Sequence, residues 1–405
     1  MPFRVALSGL NAASADLTVT ANNIANANTT GFKVSRAEFA DVYAASTFGI
    51  GKTATGSGVR LAQVSQQFKQ GTVDFTNNSL DLALSGEGFF TMSDNGSTVY
   101  SRAGAFGTDG DGYVVNASNQ RLQVFPALNG GGFDTGQMKD LQLSTADNPP
   151  SATGNVGIGI NLPANAAVPA TATFDPNDAS SYNHTTSATI YDSLGAAHSA
   201  SFYFSKTAVA NEWTVRTYVD GAAVGTPQTL DYSTSGALTV PAGGTLTLPS
   251  FNPASGAAAM TLTMDLSKST QFGDNFAVSS LTQDGYATGR LTGIEITSEG
   301  VVQARYSNGQ ASPLGQIVLS NFANPQGLQQ LGDTTWGETF SSGQVLRGAG
   351  GSGSFGLIQS GALEGSNVDL TEQLVNMITA QRNFQANAQM ISTADQVTQT
   401  IINIR

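Results

Sequence analysis

The sequence predicts a mainly β, multidomain protein in which antiparallel β domains are nested and an α-helix stands at each terminus. Both ends carry apolar residues at alternating steps of three and four, the spacing of a helix that packs against another helix. The middle alternates apolar and polar residues and is rich in Asn-Gly and Asp-Gly pairs, which favour tight hairpins between antiparallel strands.

The composition argues against several classes of function. Charged residues make up 11% of the 405 residues and the formal net charge is −12, so we expect no nucleic-acid partner. The chain has no cysteine and two histidines, which excludes disulfides and cysteine zinc sites. We therefore expect no enzyme, no bound metal and no cofactor. No stretch has the continuous apolar length of a membrane span, and membrane insertion is not expected.

The first predicted helix lies within residues 1–30. Ser8 and Gly9 interrupt the apolar run that a cleaved signal peptide needs, so we expect the N-terminus to be retained. The Asn-Thr-Thr-Gly sequence at 28–31 predicts the end of the helix. The apolar stripe consists of Phe3, Leu7, Leu10, Ser14, Leu17, Ala21 and Ile24.

The last predicted helix lies within residues 362–405. No proline follows Leu370, and either Asn367 or Asp369 is suited to cap the start of the helix. The apolar positions of its stripe are Leu370, Leu374, Met377, Phe384, Ala388, Ile391 and Ile402.

The predicted domains follow shifts in composition along the chain. A Pro/Ser/Asn cluster at 144–153 and a segment at 274–285 predict the two joints of an inserted domain, and a Gly/Ser linker covers 348–356. The predicted parts are a terminal helical domain (1–30 plus 362–405), a connecting segment (31–70 plus 349–361), a β core domain (71–146 plus 285–348) and an inserted outer β domain (147–284).

The surfaces of the terminal helices predict self-association. A helix pair in water normally shows Glu and Lys on its exposed faces, whereas the first 28 residues carry only Arg4 and Asp16 as charges. Small neutral surfaces allow packing on several sides without burying unpaired charge. We therefore expect the helices to pair as a coiled coil within a polymer of this chain, and to be poorly ordered in the isolated subunit.

Three motifs are better explained without a ligand. Residues 351–356 match GxGxxG, but no helix opens directly on them and no βαβ unit surrounds them. The Asp-Gly-Asp-Gly sequence at 109–112 lacks the carboxylate that a calcium loop needs at its twelfth position, where Gln120 stands. His184 and His198 lie near serines and aspartates, but no nucleophile elbow frames those serines.

Four segments resemble the family of bacterial flagellar rod and hook proteins. They are ANNIANANTTGFKVSRAEF (21–39), LDLALSGEGFFTM (80–92), YSRAGAFGTDGDGYVVN (100–116) and GALEGSNVDLTEQLVNMITAQRNFQANAQMISTADQV (361–397). The matches cover roughly the first 145 and the last 50 residues, and residues 147–284 match no family segment that we can place. The length and the large insertion favour the hook members of the family over the shorter distal rod members.

The resemblance implies a structural subunit of the flagellar hook, a curved hollow tube that acts as a universal joint and passes torque from rod to filament. It implies a homopolymer at the hook and basal body, outside the cell, reached by type III export without a cleaved signal. The implied partners are the export apparatus, a hook-cap scaffold protein, the distal rod and the hook–filament junction proteins. The inner tube would be formed by Leu7, Leu10, Leu17, Ile24, Leu374, Met377, Phe384 and Ile391. The turn that leaves the tube would be formed by Asn22, Asn23, Asn26, Asn28, Thr30, Gly31 and Phe32.

Two alternatives from other classes remain at this stage. A surface adhesin or carbohydrate-binding β protein could use the helices as a stalk, although such a stalk should show charged flanking positions. A polysaccharide-degrading enzyme would need a pair of carboxylates, and none stands out in the sequence. A distal rod subunit is the alternative within the family.

Overall fold

The computed structural model describes residues 2–42, 56–128, 130–143, 146–253 and 256–403. Parts of the predicted connecting segment (43–55), of the Asn129-Gly130 turn and of the 144–153 joint lie outside the described residues. The chain forms two compact units. Unit 1 comprises Met1–Thr145, Gly293–Ala304 and Ala311–Arg405, and unit 2 comprises Ala146–Thr292 and Arg305–Gln310.

The elements confirm a mainly β chain with a helix at each end. The helices are α1 (Pro2–Ala25) and α2 (Leu370–Asn403), and short 3-10 turns cover Ala242–Gly244, Pro325–Gly327 and Phe340–Ser342. The first strands are β1 (Ser35–Asp41), β2 (Val59–Gln66), β3 (Val73–Phe75), β4 (Leu82–Ser85), β5 (Phe89–Asp94), β6 (Ser97–Ser101), β7 (Gly107–Thr108), β8 (Val114–Val115), β9 (Arg121–Pro126) and β10 (Lys139–Asp140). The middle strands are β11 (Asn155–Pro163), β12 (His184–Tyr191), β13 (Ala197–Lys206), β14 (Glu212–Val219), β15 (Ala222–Ala223), β16 (Gln228–Tyr232), β17 (Leu238–Val240), β18 (Thr245–Thr247), β19 (Thr263–Asp265), β20 (Thr270–Phe272) and β21 (Ala277–Gln283). The last strands are β22 (Leu291–Ile296), β23 (Val301–Tyr306), β24 (Ala311–Ile317), β25 (Leu319–Phe322), β26 (Gln329–Gly332), β27 (Thr335–Gly337), β28 (Val345–Gly348), β29 (Leu357–Ser360) and β30 (Ala362–Glu364).

The helices are shorter than the segments expected to hold them. After α1 the chain turns through 26–31, where Gly31 adopts a φ of 70°, a conformation that glycine reaches without strain. Residues 362–364 form β30 and pair with β3 before α2 begins. Asp369 caps α2, because its Oδ1 accepts hydrogen bonds from the backbone N–H groups of Thr371 (2.8 Å) and Glu372 (3.2 Å).

Unit 1 is built around one antiparallel sheet. Its strands lie in the order β24-β9-β5-β6-β27-β26, with β25 bonded to β5 and β28 and with β22 and β23 continuing beyond β24. The strand β4 is buried on both faces: Ala83 is as buried as Leu82 and Leu84, because β4 pairs with β29 inside the core. A second cluster consists of the aromatic residues Phe89, Tyr100, Phe322 and Trp336.

Unit 2 packs two sheets around a single core. One sheet has the order β12-β13-β14-β16-β17, and the other has β18-β19-β11-β20 with β21 beside β11. In β14 the side chains alternate as the sequence predicts, with Trp213 and Val215 buried in the same hydrophobic core as Val156 and Ile158 of β11. The strand β11 departs from the antiparallel pattern, because it pairs in parallel with both β19 and β20.

Candidate functional site

The two terminal helices pack side by side, and their least exposed positions follow a seven-residue repeat. We call these positions the seam. Several seam residues are small, and Ala6, Ala13 and Ala380 are almost completely buried. The seam of α1 consists of Ala6, Leu10, Ala13, Leu17, Thr20 and Ile24. The seam of α2 consists of Gln373, Met377, Ala380, Phe384, Asn387, Ile391 and Ala394.

The seam contains most of the residues that the sequence singled out. In α1 the half-buried residues Leu10, Leu17 and Ile24 lie in it, and in α2 so do Met377, Phe384 and Ile391. Leu7 and Leu374 lie outside the seam, with 42% and 46% of their surfaces exposed. On α1 the most buried seam positions are instead Ala6, Ala13 and Thr20, whose small side chains allow close helix packing.

Gly9 marks a point of close approach between the helices, and the sequence analysis did not single it out as a packing residue. A Cβ atom at Gly9 would lie 2.4 Å from the Asn387 side-chain oxygen and 2.8 Å from its Cγ. The Asn387 amide is itself held, since its Nδ2 donates a hydrogen bond to the Asn383 carbonyl at 2.8 Å. A side chain at residue 9 would therefore displace the Asn387 amide from this position.

Asn23 joins the ends of both helices to β1. Its amide oxygen accepts a hydrogen bond from the Ser35 N–H at 2.9 Å, and its Nδ2 donates to the Ser35 carbonyl at 2.8 Å and to Gln373 Oε1 at 3.0 Å. The side chain is almost completely buried. The other predicted asparagines are more exposed, and Asn26 Nδ2 donates locally to the Asn22 carbonyl at 3.0 Å. Asn28 is also exposed.

Backbone contacts hold the turn after α1 against the rest of unit 1. The Gly31 N–H donates to the Glu364 carbonyl at 2.8 Å, and a Cβ at Gly31 would lie 2.5 Å from the Ala103 nitrogen. Phe32 is buried. The side chain of Asn367 accepts a hydrogen bond from the Val34 N–H at 2.7 Å. The predicted turn residues Gly31 and Phe32 are thus packed into the protein.

Three charged side chains that the sequence analysis did not single out lie buried behind this turn; we call Lys33, Arg102 and Glu364 the ionic node. Lys33 Nζ lies 2.5 Å from Glu364 Oε1 and donates to the Lys69 carbonyl at 2.8 Å. Arg102 Nη1 lies 3.5 Å from Glu364 Oε2, and its Nη2 donates to the Gly86 carbonyl at 2.7 Å. Burial lowers the pKa of Lys33 and of Arg102, and the Glu364 carboxylate acts in the opposite direction on both.

The helix pair also exposes apolar residues outside the seam. Phe3 and Val5 in the first turns of α1 are 53% and 37% exposed. A series of apolar residues along α2 is similarly exposed, which is unusual for a surface helix in water. These residues are Leu370, Leu374, Val375, Ile378, Met390, Val397 and Ile402.

Two of the three motifs that suggested ligands form ordinary local structure. Asp109 Oδ1 accepts the N–H groups of Asp111 (2.9 Å) and Tyr113 (2.8 Å), so it closes a turn. His198 contacts the carboxylates of Asp192 and Asp220, and among the described residues no serine hydroxyl bonds to its ring. Within the parts of the chain that the structure describes, no group of acidic and histidine side chains is arranged to hold a metal, and neither helix could cross a bilayer.

Four family models match the chain. They are the flagella basal body rod protein model (residues 3–33), the flagellar hook protein FlgE/F/G D1 domain (83–173), the flagellar basal body protein FlaE D2 domain (161–286) and the flagellar basal body rod FlgEFG protein C-terminal model (359–404). The FlaE D2 model covers much of the region that resembled nothing in the sequence analysis.

Curated relatives match the chain over its whole length. The flagellar hook proteins FlgE of Salmonella typhimurium and Escherichia coli are 41% and 40% identical, with 100% of both chains covered. The FlgE of Borreliella burgdorferi is 32% identical, with 98% of both chains covered. The crystal structure of Helicobacter pylori hook protein FlgE2 aligns with a TM-score of 0.56 at 15% identity, and covers 72% of this chain and 100% of that chain. This last likeness concerns the fold alone.

Proposed function

Because the chain belongs to the family of flagellar hook proteins, we propose that it is a structural subunit of the bacterial flagellar hook. The resemblance seen in the sequence is confirmed by relatives that match from end to end. Those relatives are named hook proteins, so they favour a hook subunit over a distal rod subunit. They also leave the adhesin and the polysaccharide-degrading enzyme without support, since the family is structural.

The observation that supports the proposal is the exposed apolar surface of the helix pair. Each helix uses one stripe to contact the other, and a second set of large apolar side chains, including Phe3, Leu7 and Leu374, stays exposed. Burying apolar surface is favourable by about 25 cal/mol per Å². Copies of the same helix pair can bury that surface, because most of the other side chains on the helices are small and few of them are charged.

In the proposed polymer the helix pairs form the inner tube. The seam residues Leu10, Leu17, Ile24, Met377, Phe384 and Ile391 hold each pair together, and the exposed residues Leu7 and Leu374 contact neighbouring copies. The turn at Asn22, Asn23, Asn26, Asn28, Thr30, Gly31 and Phe32 directs the chain out of the tube. The β core and the inserted domain form the outer layers.

The proposed polymer transmits torque outside the cell. The tube is curved and hollow and acts as a universal joint that passes torque from rod to filament while its outer domains move past their neighbours. The low charge density suits such movement, because weak ion pairs fix no single register between neighbours. The subunit leaves the cell by type III export without a cleaved signal. It then meets a hook-cap scaffold protein, the distal rod and the hook–filament junction proteins.

Deletion of residues 1–30 tests the proposal. Purified full-length chain, concentrated in salt and viewed by negative-stain electron microscopy, should form hollow curved tubes. The deletion variant should form none, yet keep the β circular dichroism and the cooperative unfolding of the other regions. Tubes formed equally well by the deletion variant, or no ordered polymer from the full chain under any condition, would overturn the proposal.

A further inference from the structure

The helix α1 carries two charged residues, Arg4 near its start and Asp16 beyond its middle. They are twelve positions apart, which corresponds to about 18 Å along an α-helix at 1.5 Å per residue. An arginine side chain cannot bridge that distance, so the two charges of one helix cannot pair with each other.

Asp16 lies in a groove of unit 1 with a volume of about 1230 Å³. The carboxylate is half-buried, and burial raises its pKa. Among the described residues, no hydrogen-bond donor or cation contacts the side chain of Asp16. Removing water from a carboxylate that gains no partner costs free energy, and a cation placed beside Asp16 would offset that cost.

The lining of the groove is mostly polar, with several apolar side chains and carboxylates, so it can receive a segment that combines apolar side chains with a positive charge. Its lining includes the apolar side chains Val19, Phe39 and Leu370, and Phe39 is partly exposed there. Two more carboxylates, Asp369 and Glu372, lie on the same lining. The lining carries two cations, Arg36, which is paired with Glu38 at 3.0 Å, and Lys69.

The first turn of α1 has the matching chemistry. Arg4 is exposed and, among the described residues, makes no ion pair or hydrogen bond. It stands between the exposed side chains of Phe3 and Val5, with Leu7 one turn further along. This turn therefore presents an arginine within an apolar surface.

We propose that the groove receives the first turn of α1 from a second copy of this chain, with Arg4 of the incoming copy paired to Asp16 of the receiving copy. The inference rests on the proposed function, because it assumes that copies polymerise. For parallel helices it sets neighbouring copies about 18 Å apart along the helix axis. The contact is heterologous: once it forms, the receiving copy still has a free Arg4 and the incoming copy still has a free Asp16. Further copies can therefore add at both ends, which generates an open polymer and not a closed dimer.

Charge exchange tests the pairing in the full-length chain. Arg4→Asp and Asp16→Arg should each raise the critical concentration for tube formation by roughly tenfold or more, because each places like charges in the contact. The double variant Arg4→Asp/Asp16→Arg should return to within about threefold of the wild-type value, since the pair is restored in reverse. Unchanged far-UV circular dichroism at low concentration establishes that the variants are folded.

A matched control separates a specific pair from general charge balance. Arg4→Asp/Glu372→Arg has the same net charge as the exchanged pair and alters another carboxylate of the same groove. This variant should stay as defective as Arg4→Asp alone. If it recovers as well as the true exchange, or if the true exchange fails to recover while the wild type forms tubes, the inference is wrong and the proposed function stands. If the wild type itself forms no tubes, the proposed function fails first.

Discussion

The side chains of Asn23 and Gln373 are bonded to each other at 3.0 Å across 350 positions of sequence, at the point where both terminal helices meet β1. The same asparagine forms a pair of hydrogen bonds with the backbone of Ser35. One buried amide therefore fixes the end of α1, the start of α2 and the first strand relative to one another. A residue in this position fixes how the helix pair is oriented relative to β1.

Replacing Asn23 by Ala should loosen the helix pair at this point. The change removes three hydrogen bonds and leaves the Ser35 N–H and carbonyl without their partner, which we expect to cost about 1–3 kcal/mol. Assembled tubes should dissociate at a lower temperature, measured by light scattering. Asn22→Ala is the matched control, because Asn22 is exposed and should leave that temperature nearly unchanged. Equal effects of the two variants would contradict the assignment.

Glu364→Gln should strongly destabilise unit 1. The variant keeps the shape of the side chain but removes the carboxylate that Lys33 and Arg102 share, and breaking a buried ion pair typically costs about 3–5 kcal/mol. Urea unfolding followed by tryptophan fluorescence measures the loss, since Trp336 lies in unit 1. Asp140→Asn breaks the more exposed ion pair with Arg121 and should give a much smaller loss. A loss for Glu364→Gln no larger than that of the control would mean that the node is not acting as a buried ion pair.

Gly9→Ala gives opposite results for the isolated helix and for the helix pair. Helix propensity alone predicts a gain of about 1 kcal/mol, because glycine is a poor helix former. The structure predicts a loss, since the new Cβ would lie 2.4 Å from the Asn387 side-chain oxygen. We expect Gly9→Ala to raise the critical concentration for tube formation. The double variant Gly9→Ala/Asn387→Gly should restore the wild-type value, because it removes the side chain that the new Cβ would meet. Gly107→Ala, which meets nothing within 4 Å, serves as the control.

Unit 2 should become less stable as the pH rises above about 6.5, through the raised pKa of His198. His198 Nδ1 lies 2.6 Å from Asp220 and its Nε2 lies 3.2 Å from Asp192, and chiefly the hydrogen bond to Asp220 raises the pKa of His198. Stabilisation by a group whose folded pKa is raised is complete below its unfolded pKa, near 6.5, and is lost as pH rises through the folded value. The difference in unfolding free energy between wild type and His198→Gln should shrink over that window.

His184 provides an internal reference for this titration. Its ring stacks on Phe276 with 4.4 Å between centroids, and burial lowers the pKa of His184. In proton NMR spectra of the folded chain, the His198 ring should titrate at a higher pH than the His184 ring. The reverse order would refute the proposed role of the two carboxylates.

The sequence anticipated features that repeat locally, such as the helix stripes and the alternation in β14. It placed Leu10, Leu17, Ile24, Met377, Phe384 and Ile391 on faces that the structure turns toward the seam. It did not single out Ala6 or Gly9 as packing residues, because a small residue is recognised as a contact only when its neighbour is known. The ionic node could not be predicted from the sequence for another reason. Lys33 and Glu364 are 331 positions apart, and no local pattern pairs a lysine with one particular glutamate.

The bonds between Gly31 and Glu364 and between Asn23 and Gln373 also constrain the order of folding. Both join residues near the start of the chain to residues near its end, and closing so long a loop costs more conformational entropy than closing a short one. During synthesis the first helix emerges long before its partner exists. The strands between the two helices can fold while α1 and α2 are still unpaired, so the helix pair forms last.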